Sequence, residues 1–171
     1  MLKRFLYLVL LCVSATALKA QTQEEESTLK ALFIYNFINY IDWESGNNQS
    51  DFVIGIIGSS SVTKSLTQVV ENKIAKNKKI IVRVFDKPED IDNCQILFIP
   101  KDIPFSLHSI LERVDKGVLT VSEETGYAEQ GTAFNFFVAN DKLKFEANVK
   151  AISLAGLRAG SQLLKLAKIV D

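Results

Sequence analysis

The sequence predicts an α/β domain: a three-layer α/β/α sandwich with a mostly parallel sheet, a C-terminal antiparallel hairpin and a closing helix. Apolar runs alternate with amphipathic stretches, as strands and helices alternate around parallel sheets. The run FVIGII at 52–57 has no polar alternation, which is typical of a strand covered on both faces. Near the end of the chain, the pair Asn140-Asp141 separates two strand-like segments, which indicates a hairpin.

The amino terminus has the pattern of a secretory signal peptide. Lys3 and Arg4 precede a short apolar run, and small residues lead to an expected cleavage site after Ala20. An uncleaved membrane anchor is the weaker alternative, because the run is well short of the roughly 20 apolar residues that a span needs. We therefore expect a signal peptide over 1–20, one domain over 21–171, and an exported protein.

The charge of the expected domain argues against a nucleic-acid-binding protein, and its cysteine content excludes an intrachain disulfide. The full chain has 20 basic and 20 acidic residues, and the signal peptide removes three basic ones, which leaves a formal net charge of −3. That mild, evenly spread charge argues against nucleic-acid binding. Cys94 is the one cysteine outside the signal peptide, so an intrachain disulfide is not possible. We expect a buried thiol there.

The first helix is expected to begin near Thr28, with Ser27 as its N-cap, and to end near Asp42-Trp43. The acidic segment before it is expected to fray. Its apolar residues cover almost the whole circumference, so it needs burial on more than one side. Either the chain itself covers the helix, or part of it forms an interface for a second copy or another protein. A solvated loop is expected over 44–51.

Alternating strands and helices then follow, and a hairpin and a long helix complete the chain. The predicted strands lie at 52–57, 80–85, 95–99 and 118–121, and the predicted helices lie at 62–70 and 104–116. In the last hairpin strand, Lys142, Lys144 and Glu146 occupy one face, which predicts a wet side near a sheet edge. From Asn148, an N-cap residue, one helix is expected to run to the C-terminus, on the apolar stripe Ile152, Ala155, Gly156, Ala159, Leu163, Leu166, Ala167 and Ile169 or Val170.

Nothing in the sequence predicts a catalytic, cofactor-binding or metal site. The chain has no glycine-rich phosphate loop and no nucleophile elbow. His108 is the single histidine, so a multi-histidine metal site is excluded, and its helical surface pattern predicts an exposed side chain. No enzymatic activity and no cofactor are expected.

A ligand cleft is the first of two binding sites that the sequence allows. Ser59 and Ser60 follow a strand and precede a helix N-terminus, where backbone N–H groups can hold an anion. Ser122 and Glu123 end another strand, on the side where open α/β sheets bind ligands. The alternatives are an N-cap with a polar loop for the serines and a solvated loop for the Glu123-Glu124 pair.

A protein-binding surface is the second possibility. Tyr40 and Trp43, at the end of the first helix, have the character of aromatic anchors for a partner. Core packing is the alternative for both. Arg158 falls off the apolar stripe of the last helix, so we expect it to be exposed and to meet either a partner or water.

The order of several short motifs resembles the YfiR/HmsC-like family of periplasmic regulatory proteins across nearly the whole expected domain. The motifs are Lys30–Phe37 with Trp43, Leu119–Ser122, Gly126-Tyr127-Ala128, Gly131, Asn135-Phe136, Phe145–Asn148, and Ala155-Gly156-Leu157 followed by Ser161, Leu163-Leu164 and Leu166-Ala167. The resemblance implies a non-enzymatic α/β domain that holds the sensor domain of an inner-membrane diguanylate cyclase in its inactive state. It also implies relief of that repression by an outer-membrane lipoprotein.

Two points limit what the resemblance implies. Better-known relatives contain more cysteines and can form disulfides, whereas Cys94 has no partner, so thiol-based control does not carry over. Family members also serve histidine-kinase systems, so the partner is a cyclase or a kinase. The alternative function from another class is a periplasmic module that binds a small ligand.

Overall fold

The computed structural model describes residues 22–43 and 50–171, and the predicted signal peptide lies outside them. The described helices are α1 (22–40), α2 (Val62–Val70), α3 (Leu107–Leu111), α4 (Val149–Leu154) and α5 (Ser161–Leu164), with a 3-10 turn at Pro88–Asp90. The strands are β1 (Ile41–Trp43), β2 (Asp51–Ile57), β3 (Ile74–Ala75), β4 (Lys78–Phe85), β5 (Ile96–Ile99), β6 (Leu119–Ser122), β7 (Phe134–Ala139), β8 (Lys142–Asn148), β9 (Leu157–Ala159) and β10 (Lys168–Val170).

The main sheet has the strand order β10-β8-β7-β6-β5-β2-β4-β3. Strands β4, β2, β5, β6 and β7 run parallel to one another. Strand β8 is antiparallel to β7, β3 is antiparallel to β4, and β10 is parallel to β8. Strands β1 and β9 form a separate antiparallel pair. The predicted α/β sandwich with a mostly parallel sheet is confirmed.

Strand β2 lies at the centre of the sheet and contributes to both of its faces. Phe52, Ile54 and Ile56 belong to one apolar core with α1 and α2, whereas Val53 and Ile57 belong to a second core with α3. Alternate side chains of a strand point to opposite faces, so a strand buried on both sides is apolar throughout. The sequence prediction for 52–57 is therefore confirmed.

Helix α1 starts earlier and ends sooner than the sequence predicts. It already includes residue 22, and Ser27 lies inside the helix, where its buried hydroxyl is 2.9 Å from the Ser61 hydroxyl. Ser27 is therefore not a cap, and the frayed lead-in is wrong for the described residues. The helix ends at residue 40 because the next three residues pair as β1 with β9.

The predicted continuous helix at the C-terminus is wrong. Asn148 does cap a helix, since its Oδ1 accepts a hydrogen bond of 2.7 Å from the Ala151 N–H, but α4 ends after six residues. Gly156 follows with φ +75°, a left-handed conformation that ends a helix and suits glycine. The later residues of the apolar stripe instead lie in and around β9, α5 and β10. Leu154 in α4 and Leu166 after α5 are each about 70% exposed.

The β7–β8 hairpin matches its prediction in the turn but not in one side chain of β8. Asn140 and Asp141 have φ of 53° and 56°, the positive values that a tight two-residue hairpin turn requires. Lys142 and Lys144 are exposed as expected. Glu146 is only 8% exposed, because β10 pairs along this part of β8. The wet face is therefore limited to the first half of the strand.

Smaller differences concern the middle of the chain. A two-residue strand, β3, precedes β4 and pairs with it through a turn at Lys76 and Asn77, both at positive φ. Helix α3 covers only five residues of the longer stretch that the sequence predicts. Most of the loop expected over 44–51 lies outside the described residues. Among the described helices, none combines the length and apolar character that a membrane crossing requires.

Candidate functional site

The short β1–β9 pair brings together the three residues that the sequence indicated as partner contacts. Trp43 pairs with Leu157, Asp42 pairs with Arg158, and the Tyr40 carbonyl accepts a 2.7 Å hydrogen bond from the Gly160 N–H. A Cβ at position 160 would lie 3.3 Å from the Tyr40 carbonyl oxygen, a tight contact that glycine avoids. We call β1, β9 and Tyr40 the ribbon.

The polar side chains of the ribbon point into solvent. Arg158 is 80% and Asp42 is 66% exposed at their side chains, and a 3.3 Å contact joins Arg158 Nη2 to Asp42 Oδ2. Exposed ion pairs contribute about 0–1 kcal/mol to stability. This pair therefore adds little to the fold, and both charges are accessible to another molecule.

One face of α1 continues the surface of the ribbon and is partly apolar. Leu29, Leu32, Asn36 and Tyr40 are separated by three or four residues, so they share a helix face, and all four are exposed. The leucines and Tyr40 are each about 40% exposed. We call this exposed face together with the ribbon the α1/ribbon surface.

The opposite face of α1 packs inside the domain. Phe37 lies 4.6 Å from Phe134 and 5.2 Å from Phe145 between ring centroids, and Phe33 contacts Phe136 and Phe145. The helix is thus covered by its own chain on one side and exposed on the other. Coverage by its own chain is therefore confirmed for one face of α1, and an interface on the exposed face stays a prediction.

Trp43 is half-buried and joins the ribbon to the main sheet. Its ring meets Phe52 edge to face, with centroids 5.3 Å apart and an interplanar angle of 89°. The indole Nε1 is buried and has no hydrogen-bond partner in the described chain. A buried donor without a partner costs about 1–3 kcal/mol, so this atom calls for an explanation.

At the carboxyl ends of the strands, the serines predicted to line a cleft differ in their surroundings. Ser59 is exposed, and the half-buried Ser60 accepts a hydrogen bond of 3.1 Å at its Oγ from the Val62 N–H. Ser122 is fully buried, and its hydroxyl lies 2.8 Å from Thr132 Oγ1 and 2.7 Å from Asn135 Oδ1. The Ser122 hydroxyl is therefore engaged within the domain.

Glu123 is part of a buried ion pair rather than of a solvated loop. Its carboxylate contacts Lys30 of α1, and both side chains are 9% exposed. Glu26 is a second carboxylate against Lys30. Burial lowers the pKa of Lys30, but the two carboxylates outweigh that effect and raise it. The ion pair thus holds this end of the sheet against α1, and it uses Glu123, which the sequence indicated for a ligand cleft.

A buried polar chain beside Ser122 was missed in the sequence. Asn135 Nδ2 donates to Glu146 Oε2 at 3.2 Å, and the Glu146 carboxylate also accepts from Lys168 Nζ at 2.8 Å. The same ion pair raises the pKa of Lys168. Alternation within β8 suggested that Glu146 faces water, and the sequence gives no sign that β10 returns to cover it.

A groove with a volume of about 870 Å³ opens at the amino ends of the strands, opposite the predicted cleft. The aromatic residues Trp43 and Phe52 line it, as do Ala155 and Gly156. Its other apolar lining residues are Ile91, Cys94 and Val118. Charged side chains also line it, namely Lys76, Lys78, Arg113, Lys116, Asp42, Asp92 and Asp115. Sequence reasoning missed this groove because its walls come from distant segments.

Cys94 and His108 have the surroundings that the sequence predicts. Cys94 is buried, and burial raises the pKa of its thiol to about 12. The His108 side chain is 85% exposed and lies 3.2 Å from the Glu112 carboxylate. Within 22–43 and 50–171, no group of three histidine, cysteine, aspartate or glutamate side chains is placed to hold a metal ion.

Comparison with models of protein families gives a match. The model of a family described as YfiR/HmsC-like matches residues 27–168, which include α1 from Ser27 onward, the main sheet as far as Lys168, and the ribbon. A search of curated proteins finds no match.

Proposed function

Because the chain belongs to the YfiR/HmsC-like family, we propose that it is a non-enzymatic periplasmic regulator of cyclic-di-GMP signalling. It binds the periplasmic sensor domain of an inner-membrane signalling enzyme and holds that enzyme inactive. The proposed target is a diguanylate cyclase, with a histidine kinase as the alternative. An outer-membrane lipoprotein is the proposed antagonist of this binding.

The α1/ribbon surface is the observation that supports binding to another protein. It combines partly exposed apolar residues, Leu29, Leu32 and Tyr40, with the accessible charges of Arg158 and Asp42. Partly apolar patches rimmed by polar groups are typical of association sites, and tyrosine and arginine are frequent energetic anchors in them. The same surface would serve self-association, binding of the sensor domain, or both in competition.

Variants of the ribbon test this proposal in cells that lack the gene. Restoring the wild-type protein is expected to lower cellular cyclic-di-GMP. Tyr40→Ala and Arg158→Glu are expected to weaken binding roughly tenfold or more, because interface anchors contribute about 2 kcal/mol each, and so to leave cyclic-di-GMP high. Cyclic-di-GMP is measured by mass spectrometry, and thermal unfolding is measured on the purified variants.

Val84→Ala provides a matched control, because Val84 is 46% exposed but distant from the ribbon. It pairs with Ile56 at one end of β2, whereas Trp43 packs on Phe52 four residues away, which is about 13 Å along the strand. The control should repress normally. Full repression by both ribbon variants, or loss of repression only where the variant unfolds, contradicts the assignment of this surface.

Export to the periplasm is part of the proposal and is tested on the same strains. A chain that begins at Gln21 in the periplasmic fraction supports cleavage of the predicted signal peptide. Recovery of an intact chain beginning at Met1 in the membrane fraction contradicts it.

A further inference from the structure

We propose that the outer edge of β4 binds an extended segment of another protein, which adds a strand to the main sheet and places an acidic residue opposite Arg83. This inference goes beyond the proposed function, because β4 is not part of the α1/ribbon surface and the binding does not depend on repression. Strand addition at a sheet edge takes its affinity from main-chain hydrogen bonds and its selectivity from alternate side chains.

Strand β4 is longer than the strand that covers its outer edge. On its inner side, β4 pairs with β2 over the whole stretch from Lys79 to Phe85. On its outer side, β3 pairs only with Lys78 and Lys79, and one further hydrogen bond of 3.2 Å joins the Ile80 N–H to the Lys73 carbonyl. Within the described residues, no strand pairs with the outer edge beyond Ile80.

Two hydrogen bonds show which main-chain groups of β4 point outward. The Ile80 N–H donates outward, to the segment before β3, whereas the Phe85 carbonyl accepts inward, at 2.8 Å, from the Gly58 N–H that follows β2. The main-chain groups of successive strand residues point to alternate sides. Val82 and Val84 therefore present their N–H and C=O groups at the outer edge, where the described part of the chain offers them no main-chain partner.

The side chains along this open stretch are apolar apart from one arginine. Val84 is 46% exposed, residues 81–82 are half-buried, and Arg83 is exposed. Strand β8, by contrast, carries the exposed Lys142 and Lys144 along the half that β10 does not cover. Lysines are a usual means by which proteins discourage pairing at a sheet edge. The open stretch of β4 has no lysine, so it is the edge better suited to an added strand.

The charge of Arg83 argues against a second copy of the chain as the occupant. An antiparallel twofold pair that uses the outward groups of both valines joins Val82 of one copy to Val84 of the other. Arg83 then lies directly opposite its own copy, in the closely spaced type of pair with Cα atoms about 4.5 Å apart. Like charges directly opposite each other destabilise a sheet. A strand from a different protein avoids this repulsion.

Arg83 also selects the chemistry of the added strand. Its exposed side chain forms no ion pair with another described residue. A carboxylate opposite Arg83 supplies that partner across the strands. On the other face of the sheet, the neighbouring positions of the added strand lie beside Val82 and Val84, where β-branched residues pack well. The expected segment therefore reads apolar, acidic, apolar, and it runs antiparallel to β4, in line with β3.

Hydrogen exchange of single amides tests the open edge in the whole folded protein. Without a peptide, the amides of Val82 and Val84 should exchange rapidly, whereas those of Arg83 and Phe85, which point towards β2, should be protected. The capped peptide TTVEVTT serves as the probe, and TTVKVTT is its charge-reversed control. The first peptide should protect the two valine amides and bind roughly fivefold more tightly than the second.

A charge swap locates the binding at Arg83. Arg83→Glu should reverse the preference, so that this variant binds the lysine peptide more tightly than the glutamate peptide. The matched control is Lys144→Glu, which makes the same change of charge on β8 and should keep the wild-type preference. Both side chains are exposed, so both variants should fold, and thermal unfolding checks this.

Three results overturn the inference. The first is equal protection of the Val82 and Arg83 amides in the peptide-free protein: in a monomer it means that the chain covers its own edge, and in a dimer that a second copy does. The second is no change in the exchange or chemical shift of the valine amides at millimolar glutamate peptide. The third is an unchanged peptide preference in folded Arg83→Glu.

Discussion

Cys94 shows at the scale of one residue how burial controls chemistry. Its thiol is 4% exposed, and the loss of hydration disfavours the thiolate, which raises the pKa to about 12. The thiolate is the reactive form of cysteine, so we expect the thiol to react slowly in the folded protein. The sequence predicted this from one cysteine next to an apolar strand.

The first prediction at this scale is that Cys94 reacts with a thiol reagent slowly in native protein and rapidly in denaturant. Cys94→Ser should cost roughly 1–2 kcal/mol of unfolding free energy, because it places a hydroxyl in an apolar site, and repression should remain intact. Denaturant unfolding and timed labelling measure both effects. Rapid labelling of the native protein, or a disulfide-linked dimer, would be incompatible with a buried thiol.

The raised pKa also gives a pH dependence with a defined sign. A folded-state pKa above the unfolded value stabilises the fold fully below the unfolded pKa, near 9.0, and that contribution is lost as pH rises towards about 12. The unfolding free energy of the wild type should therefore fall more steeply across this range than that of Cys94→Ala. Lys30, whose pKa is also raised, contributes equally to both proteins and cancels in the comparison.

Other single residues could not be placed from the sequence alone. Glu123 and Glu146 each stand in a polar pattern, yet both are buried against a lysine from a distant segment, Lys30 and Lys168 respectively. Local alternation describes a strand and its immediate turn. It carries no information on which helix or strand later covers a given face.

At the scale of elements, the C-terminal segment shows how one glycine overrides a helical period. Ile152 and Leu163 are both buried, as a helical stripe predicts, but they lie in two separate short helices with β9 between them. The Ala155 carbonyl, at the end of α4, instead accepts a 2.7 Å hydrogen bond from the Gly117 N–H. The small residues Ala155 and Gly156 thus permit a tight turn at the end of α4, and they do not serve close packing of a long helix on the sheet.

The prediction at the scale of elements concerns substitutions of Gly156. Gly156→Ala should destabilise the protein by about 1–2 kcal/mol, because alanine resists φ +75°, although a Cβ would meet no atom within 4 Å. Gly156→Asn should cost less, since asparagine tolerates the left-handed region. In a continuous helix the alanine variant would instead stabilise by roughly 0.5–1 kcal/mol, so the sign of the change in denaturant unfolding decides between the two structures.

For the whole molecule, the sequence predicts the layers and the parallel sheet but not where its open surfaces lie. Apolar runs such as 52–57 identify central strands, and Asn140-Asp141 identifies the hairpin. The expected cleft at the carboxyl ends involves Glu123, which is paired with Lys30, whereas a groove opens at the amino ends. The residues that line the groove come from segments distant in the sequence, and no local pattern identifies them together.

The ribbon also has a consequence for the order in which the protein acquires activity. Asp42 and Arg158 are 116 residues apart in the sequence, so β1 cannot pair with β9 until all of the residues between them have been synthesised. Closing so long a loop is slow compared with local contacts, and the main sheet as far as β8 does not require it. A nascent or truncated chain that stops at Asn148 lacks the ribbon and therefore the surface that Arg158 completes. Only molecules in which β9 has docked on β1 therefore present the complete α1/ribbon surface, which is the surface proposed for partner binding.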